Sequence, residues 1–185
     1  MINKFQKLKF VVLFTLVILY SGCETDYTDY EKQQKAYKEE IKKKNSKQEH
    51  FQIFNQKMDE TLERKVFYVP VYSHIYISAD NYIKMSISLS VRNTDLLKDL
   101  YIESISYYNT EGKLVKNYIS QPHILKPMGS IDFIVDLDDM SGGNGAKFLV
   151  KFASKSNASK PIVQAVMSHI VGNNHVVFVT EGQLL

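Results

Sequence analysis

From Ile83 to Arg92 the chain alternates without a break: Ile83, Met85, Ile87, Leu89 and Val91 are apolar, and Lys84, Ser86, Ser88, Ser90 and Arg92 are polar. Successive side chains of a strand point to opposite faces, so this run buries one face and wets the other. A helix would scatter both sets around its circumference. The same period of two governs the chain from Val66 onward. Residues 66–78 read as a strand that Pro70 breaks or confines to an edge. Residues 100–108 and 114–119 flank Asn109-Thr110-Glu111-Gly112, a hairpin turn closed by glycine. Ile131, Phe133, Val135 and Leu137 then alternate with Asp132, Ile134 and Asp136. Residues 147–153, 162–171 and 176–180 complete the set, the last two joined by the tight turn Gly172-Asn173-Asn174.

These are about seven or eight strands with no helix between them. Parallel pairing needs long crossovers and is excluded. The expected fold is an all-β antiparallel sandwich of the immunoglobulin-like kind, in which two half-buried sheets cover each other's apolar faces. A closed barrel is the alternative. A membrane barrel does not fit, since the outward positions carry Lys, Asp and Ser where lipid needs apolar groups.

Residues 23–65 have a different character, polar and charged and without glycine or proline after Cys23. EKQQKAYKEEIKKK, residues 31–44, consists of strong helix formers, with Glu39 and Lys43, and Glu40 and Lys44, at helical i,i+4 spacing. Tyr27, Tyr30, Tyr37 and Ile41, then Phe51, Met58 and Leu62, follow a heptad-like row interrupted by Gln34, Lys44, Gln48 and Asn55. A solvated helical tether is expected, with an oligomerising stalk as the alternative. The division is a leader at residues 1–22, a tether at 23–65, and a β domain at 66–185 able to fold without the tether.

The first residues resemble a bacterial lipoprotein signal peptide. Lys4, Lys7 and Lys9 form the basic region, residues 10–20 the apolar one, and Ser21-Gly22-Cys23 the cleavage site. Eleven apolar residues rise only about 17 Å as a helix, against about 30 Å of bilayer core. The resemblance implies that the Cys23 thiol is lipidated and becomes the first residue of the mature chain, with membrane lipid as its partner. Tyr20 stands where such signals carry leucine. Glu24 occupies the position where aspartate marks inner-membrane retention, so the expected address is the outer membrane facing the periplasm, with surface display as the alternative.

Cys23 is the only cysteine, which excludes an intramolecular disulfide, a cysteine-based zinc site and a cysteine nucleophile in the folded part. The net charge of +3 belongs to the signal. Without Lys4, Lys7 and Lys9 the 23 basic residues become 20, equal to the 20 acidic ones. A neutral chain lacks the basic surface that nucleic acid requires.

Four segments stand out: Val69-Pro70-Val71-Tyr72-Ser73-His74-Ile75-Tyr76, Leu89-Ser90-Val91-Arg92-Asn93-Thr94-Asp95, Tyr107-Tyr108-Asn109-Thr110-Glu111-Gly112-Lys113-Leu114-Val115 and Ser141-Gly142-Gly143-Asn144-Gly145-Ala146-Lys147-Phe148. Together they resemble an uncharacterised bacterial family, domain of unknown function 3124. The likeness runs from Tyr68 to Gly182 and implies a domain type in an exported protein, with no reaction attached.

No nucleophile elbow, paired catalytic carboxylates or phosphate loop is present, so a non-catalytic domain without a cofactor is expected. Its ligand would be another envelope component, protein or glycan; the alternative is an envelope metal-binding protein or enzyme using the loops at one end of the sandwich. Two candidate sites stand out. Arg92, Asn93 and Asp95 close a strand and are read as turn formers or as a polar anchor for a ligand, with Arg92 free to pair with a surface carboxylate. The loop Asp138, Asp139, Met140, Ser141, Gly142, Gly143, Asn144 and Gly145 is either a tight connection or a binding edge. Asp136, Asp138, Asp139 and Asn144 offer it oxygens that suit calcium, without the spacing of an EF-hand. His169 and His175 flank the last turn, and facing each other they would start a zinc or copper site, although no HxH or HExxH spacing occurs.

Overall fold

The computed structural model describes residues 49–172 and 174–185, with Lys32, Gln33, Lys35, Ala36 and Glu39 from the preceding segment. Those five are helical and exposed. The signal, Cys23 and the rest of the segment up to Gln48, with the tether and stalk readings, lie outside the described residues. Among the described residues no helix is long and apolar enough to cross a membrane.

Among the described residues thirteen strands follow, in the order β1 (Phe51–Ile53), β2 (Glu63–Val71), β3 (His74–Tyr76), β4 (Tyr82–Lys84), β5 (Ser86–Arg92), β6 (Leu100–Tyr108) and β7 (Leu114–Ile119). Then come β8 (His123–Leu125), β9 (Ser130–Val135), β10 (Ala146–Ser154), β11 (Ile162–Val171), β12 (Asn174–Glu181) and β13 (Gln183–Leu184). Eight are six residues or longer and occupy the eight segments where the sequence alternates. The other five, of two or three residues each, raise the count above the expected seven or eight. So short a strand has too few side chains to display a period.

All pairing is antiparallel. One sheet runs β1-β8-β6-β10-β2-β13, with β7 also on β6; a second runs β12-β11-β5-β9; β3 and β4 form a separate hairpin. The domain is an all-β sandwich. Val69, Ile105, Tyr107, Phe148, Val150 and Phe152 of the larger sheet share one core with Ile87, Leu89, Val91, Val163, Ala165 and Met167 of the smaller, and none is more than 3% exposed. On β5, Ile87, Leu89 and Val91 are buried and Arg92 is exposed, as alternation requires, but Ser90, expected on the wet face, is buried as well. In β6, Ile102 and Ile105 are an odd number apart, yet both are fully buried. A bulge reconciles them: Lys151 pairs Ser104 and Phe152 pairs Ile102, which leaves Glu103 as the extra residue.

Pro70 neither breaks β2 nor lies outside the sheet. It pairs Lys147 of β10 on one side, while β13 on the other reaches only Phe67 and Tyr68. Its carbonyl accepts from Thr180 Oγ1 at 2.6 Å on the side where its missing N–H would have pointed. At Gly182 the chain passes from the smaller sheet to the larger. The Gly182 N–H donates to Val163 O at 2.8 Å, and a Cβ there would stand 2.9 Å from that oxygen and 3.1 Å from Phe67 Cδ1.

The compact unit begins at Glu49, ahead of the boundary expected at Val66. β1 pairs β8 with Phe51 opposite Leu125, Phe51 stacks on His123 at 4.6 Å, and Leu62 is buried. Residues 49–65 therefore belong to the sandwich. Their sparse apolar residues looked like a tether because the strand that β1 pairs with lies about seventy residues further on.

Candidate functional site

Asn93 and Asp95 are only 4% and 5% exposed, and they hold loops of their own chain. Asn93 Nδ2 donates to Lys98 O at 2.8 Å and Leu125 O at 3.0 Å, while its Oδ1 accepts from the Asp95 N–H. Asp95 Oδ1 accepts from the N–H groups of Leu97 and Lys98, each at 2.9 Å, and Oδ2 from Ser159 N–H at 2.8 Å. Thr94 Oγ1 reaches Lys160 O at 2.8 Å. The motif therefore clamps the loop after β5 to the loop after β10. Buried and engaged by backbone groups of this chain, the two side chains serve the fold. Arg92 does not join it; its Nε donates to Ser90 Oγ at 3.3 Å, and no carboxylate lies within 4.0 Å among the described residues.

The N–H groups of Ser159 and Leu97, followed by that of Lys98 and its ammonium, hold the Asp95 carboxyl well below the usual carboxylate range, against the opposing effect of desolvation. A carboxyl depressed on folding stabilises the folded state fully above its unfolded value of about 4, and loses that contribution as pH falls towards the folded value. Asp95→Ala is therefore expected to melt lower than the parent at pH 7, with the gap closing as pH falls below about 4. Melts across that range check this; a gap independent of pH would mean the carboxylate contributes no charge-dependent stability.

The loop so clamped forms one wall of a cleft of about 110 Å³. Lys65 of β2 and Ser154, Lys155, Ser159 and Lys160 at the end of β10 line it over the ring of Phe152. Lys65 Nζ contacts Glu63 at 2.8 Å, and Lys160 Nζ stands 5.6 Å above the Phe67 ring. No carboxylate lies within 4.0 Å of Lys155 or Lys160 among the described residues. Ammonium groups with unspent charge beside serine hydroxyls suit a phosphate- or carboxylate-sized anion. Sequence reasoning missed the cleft because Lys65 is some ninety residues from the other two lysines; the signal was a cluster of lysines and serines between strands, which reads as an ordinary polar loop.

The glycine-rich loop is tied into the fold. Gly142 O accepts from the Thr110 N–H at 2.9 Å and Oγ1 at 3.2 Å, and Gly143 O from the Ser73 N–H and Oγ, each at 3.1 Å. The Gly145 N–H donates to Thr110 Oγ1 at 3.0 Å, and Gly143 adopts φ +77°. Asp138 pairs with Lys84 at 2.9 Å and Asp139 Oδ1 accepts from Ser141, so these carboxylates do not converge. Beneath the loop burial pushes the Tyr107 and Tyr118 hydroxyls up, Tyr118 to about 12.

His169 and His175 do not face each other. His169 pairs Val176 and His175 pairs Ile170, so the odd offset places the two imidazoles on opposite faces of the sheet. Among the described residues no group of three or more His, Cys, Asp or Glu could hold a metal ion.

A family model described as "Protein of unknown function (DUF3124)" matches residues 64–185. No curated protein matches. Among solved structures the chain is similar to Thermotoga maritima 1070, from Thermotoga maritima, at 16% identity over 64% of this chain and 92% of that one, with a TM-score of 0.36.

Proposed function

This chain belongs to the DUF3124 family, and we propose that it is a membrane-anchored lipoprotein whose sandwich binds an acidic, phosphate- or carboxylate-bearing glycan of the cell envelope without catalysis. The observation that carries the binding half is the lysine cleft. There Lys155 and Lys160 of the loop after β10, with no carboxylate within 4.0 Å among the described residues, stand beside Lys65 of β2, whose ammonium is paired with Glu63. The anchoring half rests on Lys4, Lys7 and Lys9, the apolar run and Ser21-Gly22-Cys23. Each buried lipid methylene contributes about 0.8 kcal/mol, so two or three acyl chains hold a protein on a membrane essentially permanently.

Exposed ion pairs contribute about 0.2–1 kcal/mol each, so binding should be modest and salt-sensitive. Lys155→Glu with Lys160→Glu is expected to weaken retention on immobilised acidic polysaccharide about tenfold or more, since each change removes an attraction and adds a repulsion. A neutral polysaccharide should not retain the parent. Equal retention of parent and variant would remove the cleft from the account. Cys23→Ala should shift the protein from the membrane fraction to precursor or soluble forms; palmitate labelling equal to that of the parent would end the lipoprotein reading.

A further inference from the structure

Among the described residues β12 is an edge of the smaller sheet and pairs only β11, in an unbroken register from Gln164 opposite Glu181 to Val171 opposite Asn174. Edges invite pairing with another chain, and native sheets blunt them with short strands, lysine, proline or bulges. The other edges here are blunted. β1 and β13 have three and two residues, β9 carries the exposed Asp132, and β7 carries Lys116 and shifts register twice against β6. β12 is eight residues long, contains neither lysine nor proline, and has no bulge. Its outward side chains Val177 and Val179 are 60% and 54% exposed.

We propose that β12 pairs with β12 of a second copy of this chain about a two-fold axis at Phe178. The backbone permits it. Gly182 N–H donates to Val163 O, and the register with β11 then turns the peptide groups of Val176, Phe178 and Thr180 towards β11. Those of His175, Val177, Val179 and Glu181 face the open edge. An antiparallel partner centred on Phe178 places His175 opposite Glu181 of the second copy, and Val177 opposite Val179 of the second copy. These are the four residues whose backbone groups are turned outward, so the hydrogen-bonded pairs fall where donors and acceptors stand ready.

The side chains agree with that register. His175, Val177, Val179 and Glu181 share the outer face, so an imidazole N–H meets a carboxylate at each end and valine packs on valine between them. Glu181 is pre-positioned: its Oε1 accepts from Gln164 Nε2 at 2.5 Å, which leaves Oε2 for the imidazole. A two-fold interface requires one patch to complement itself, and this register does so. The two four-stranded sheets then join into one sheet of twice the width.

The test is sedimentation equilibrium of the full chain in detergent, with parallel melts. The parent is expected to sediment as a dimer. His175→Glu, which opposes carboxylates at both ends, and Val177→Lys, which places charge at the valine contact, are expected to give monomers that melt as folded domains, since both positions are exposed. The swap His175→Glu with Glu181→Lys restores opposite charges in this register alone and is expected to restore the dimer. A monomeric parent, a dimer that survives both single changes, or a swap that stays monomeric would each overturn the proposal.

Discussion

Ile87→Asp is expected to leave no cooperatively folded domain, whereas Ser88→Asp should fold and melt within a few degrees of the parent. Ile87 is fully buried and lies between Met167 of β11 and Val135 of β9. An aspartate there has no cationic partner, and burying an unpaired polar group costs roughly 2–7 kcal/mol before its charge is counted. The loss of the isoleucine's own packing adds about 2–5 kcal/mol. A domain's whole stability is about 5–15 kcal/mol, so the sum is comparable with all of it. Ser88 is one residue on and looks outward between Val166 and Ile134, where water reaches a carboxylate. Far-ultraviolet circular dichroism melts of the two variants decide the matter; similar midpoints would refute the facing of β5.

Gly142→Val should be the most damaging change in the glycine-rich loop. A Cβ at Gly142 would overlap the Tyr107 hydroxyl, with the ring Cζ at 2.5 Å and Ala146 Cβ at 2.8 Å. Tyr107 cannot withdraw, because it is fully buried and packs on Phe148 with ring centroids 4.9 Å apart. Overpacking a close-packed interior costs about 1–3 kcal/mol for small insertions, and two further methyls raise it. The Tyr107 hydroxyl is buried with no hydrogen-bond partner among the described residues, so Tyr107→Phe alone should melt at or above the parent. Combined with Gly142→Ala it should recover part of the loss, because the phenyl ring withdraws the nearest of the overlapping atoms. Strict additivity of the two changes would mean that the contact is not the cause.

The fold was largely legible because its main signal is local. Alternation on β5 and β9 names the core-facing residues Ile87, Leu89, Val91, Ile131 and Val135, and the hairpin at Asn109-Thr110-Glu111-Gly112 forms with Gly112 at φ +78°. The candidate sites were legible only as residues. Asn93 and Asp95 were visible as strand-closing polar groups, but their grip on residues 98, 125 and 159 depends on loops far away in the chain. Asp138 and Asp139 looked like a cluster of oxygens, and the fold gives each a different partner. Lys155 and Lys160 form a cleft only because β2 brings Lys65 beside them.

By itself the sequence determined an all-β domain of about seven or eight antiparallel strands, the core-facing residues of β5 and β9, and the lone cysteine that excludes an intramolecular disulfide. These follow from side-chain direction, which repeats every second residue and needs no knowledge of neighbours. The tertiary structure alone decided which strands meet, such as Val71 with Ala146 and Phe51 with Leu125. It also decided that Glu103 bulges, that the chain changes sheets at Gly182, that His169 and His175 part company across a sheet, and that β12 is left with an open edge. Each of these depends on pairing register, which is set by the packing of two distant segments against one core.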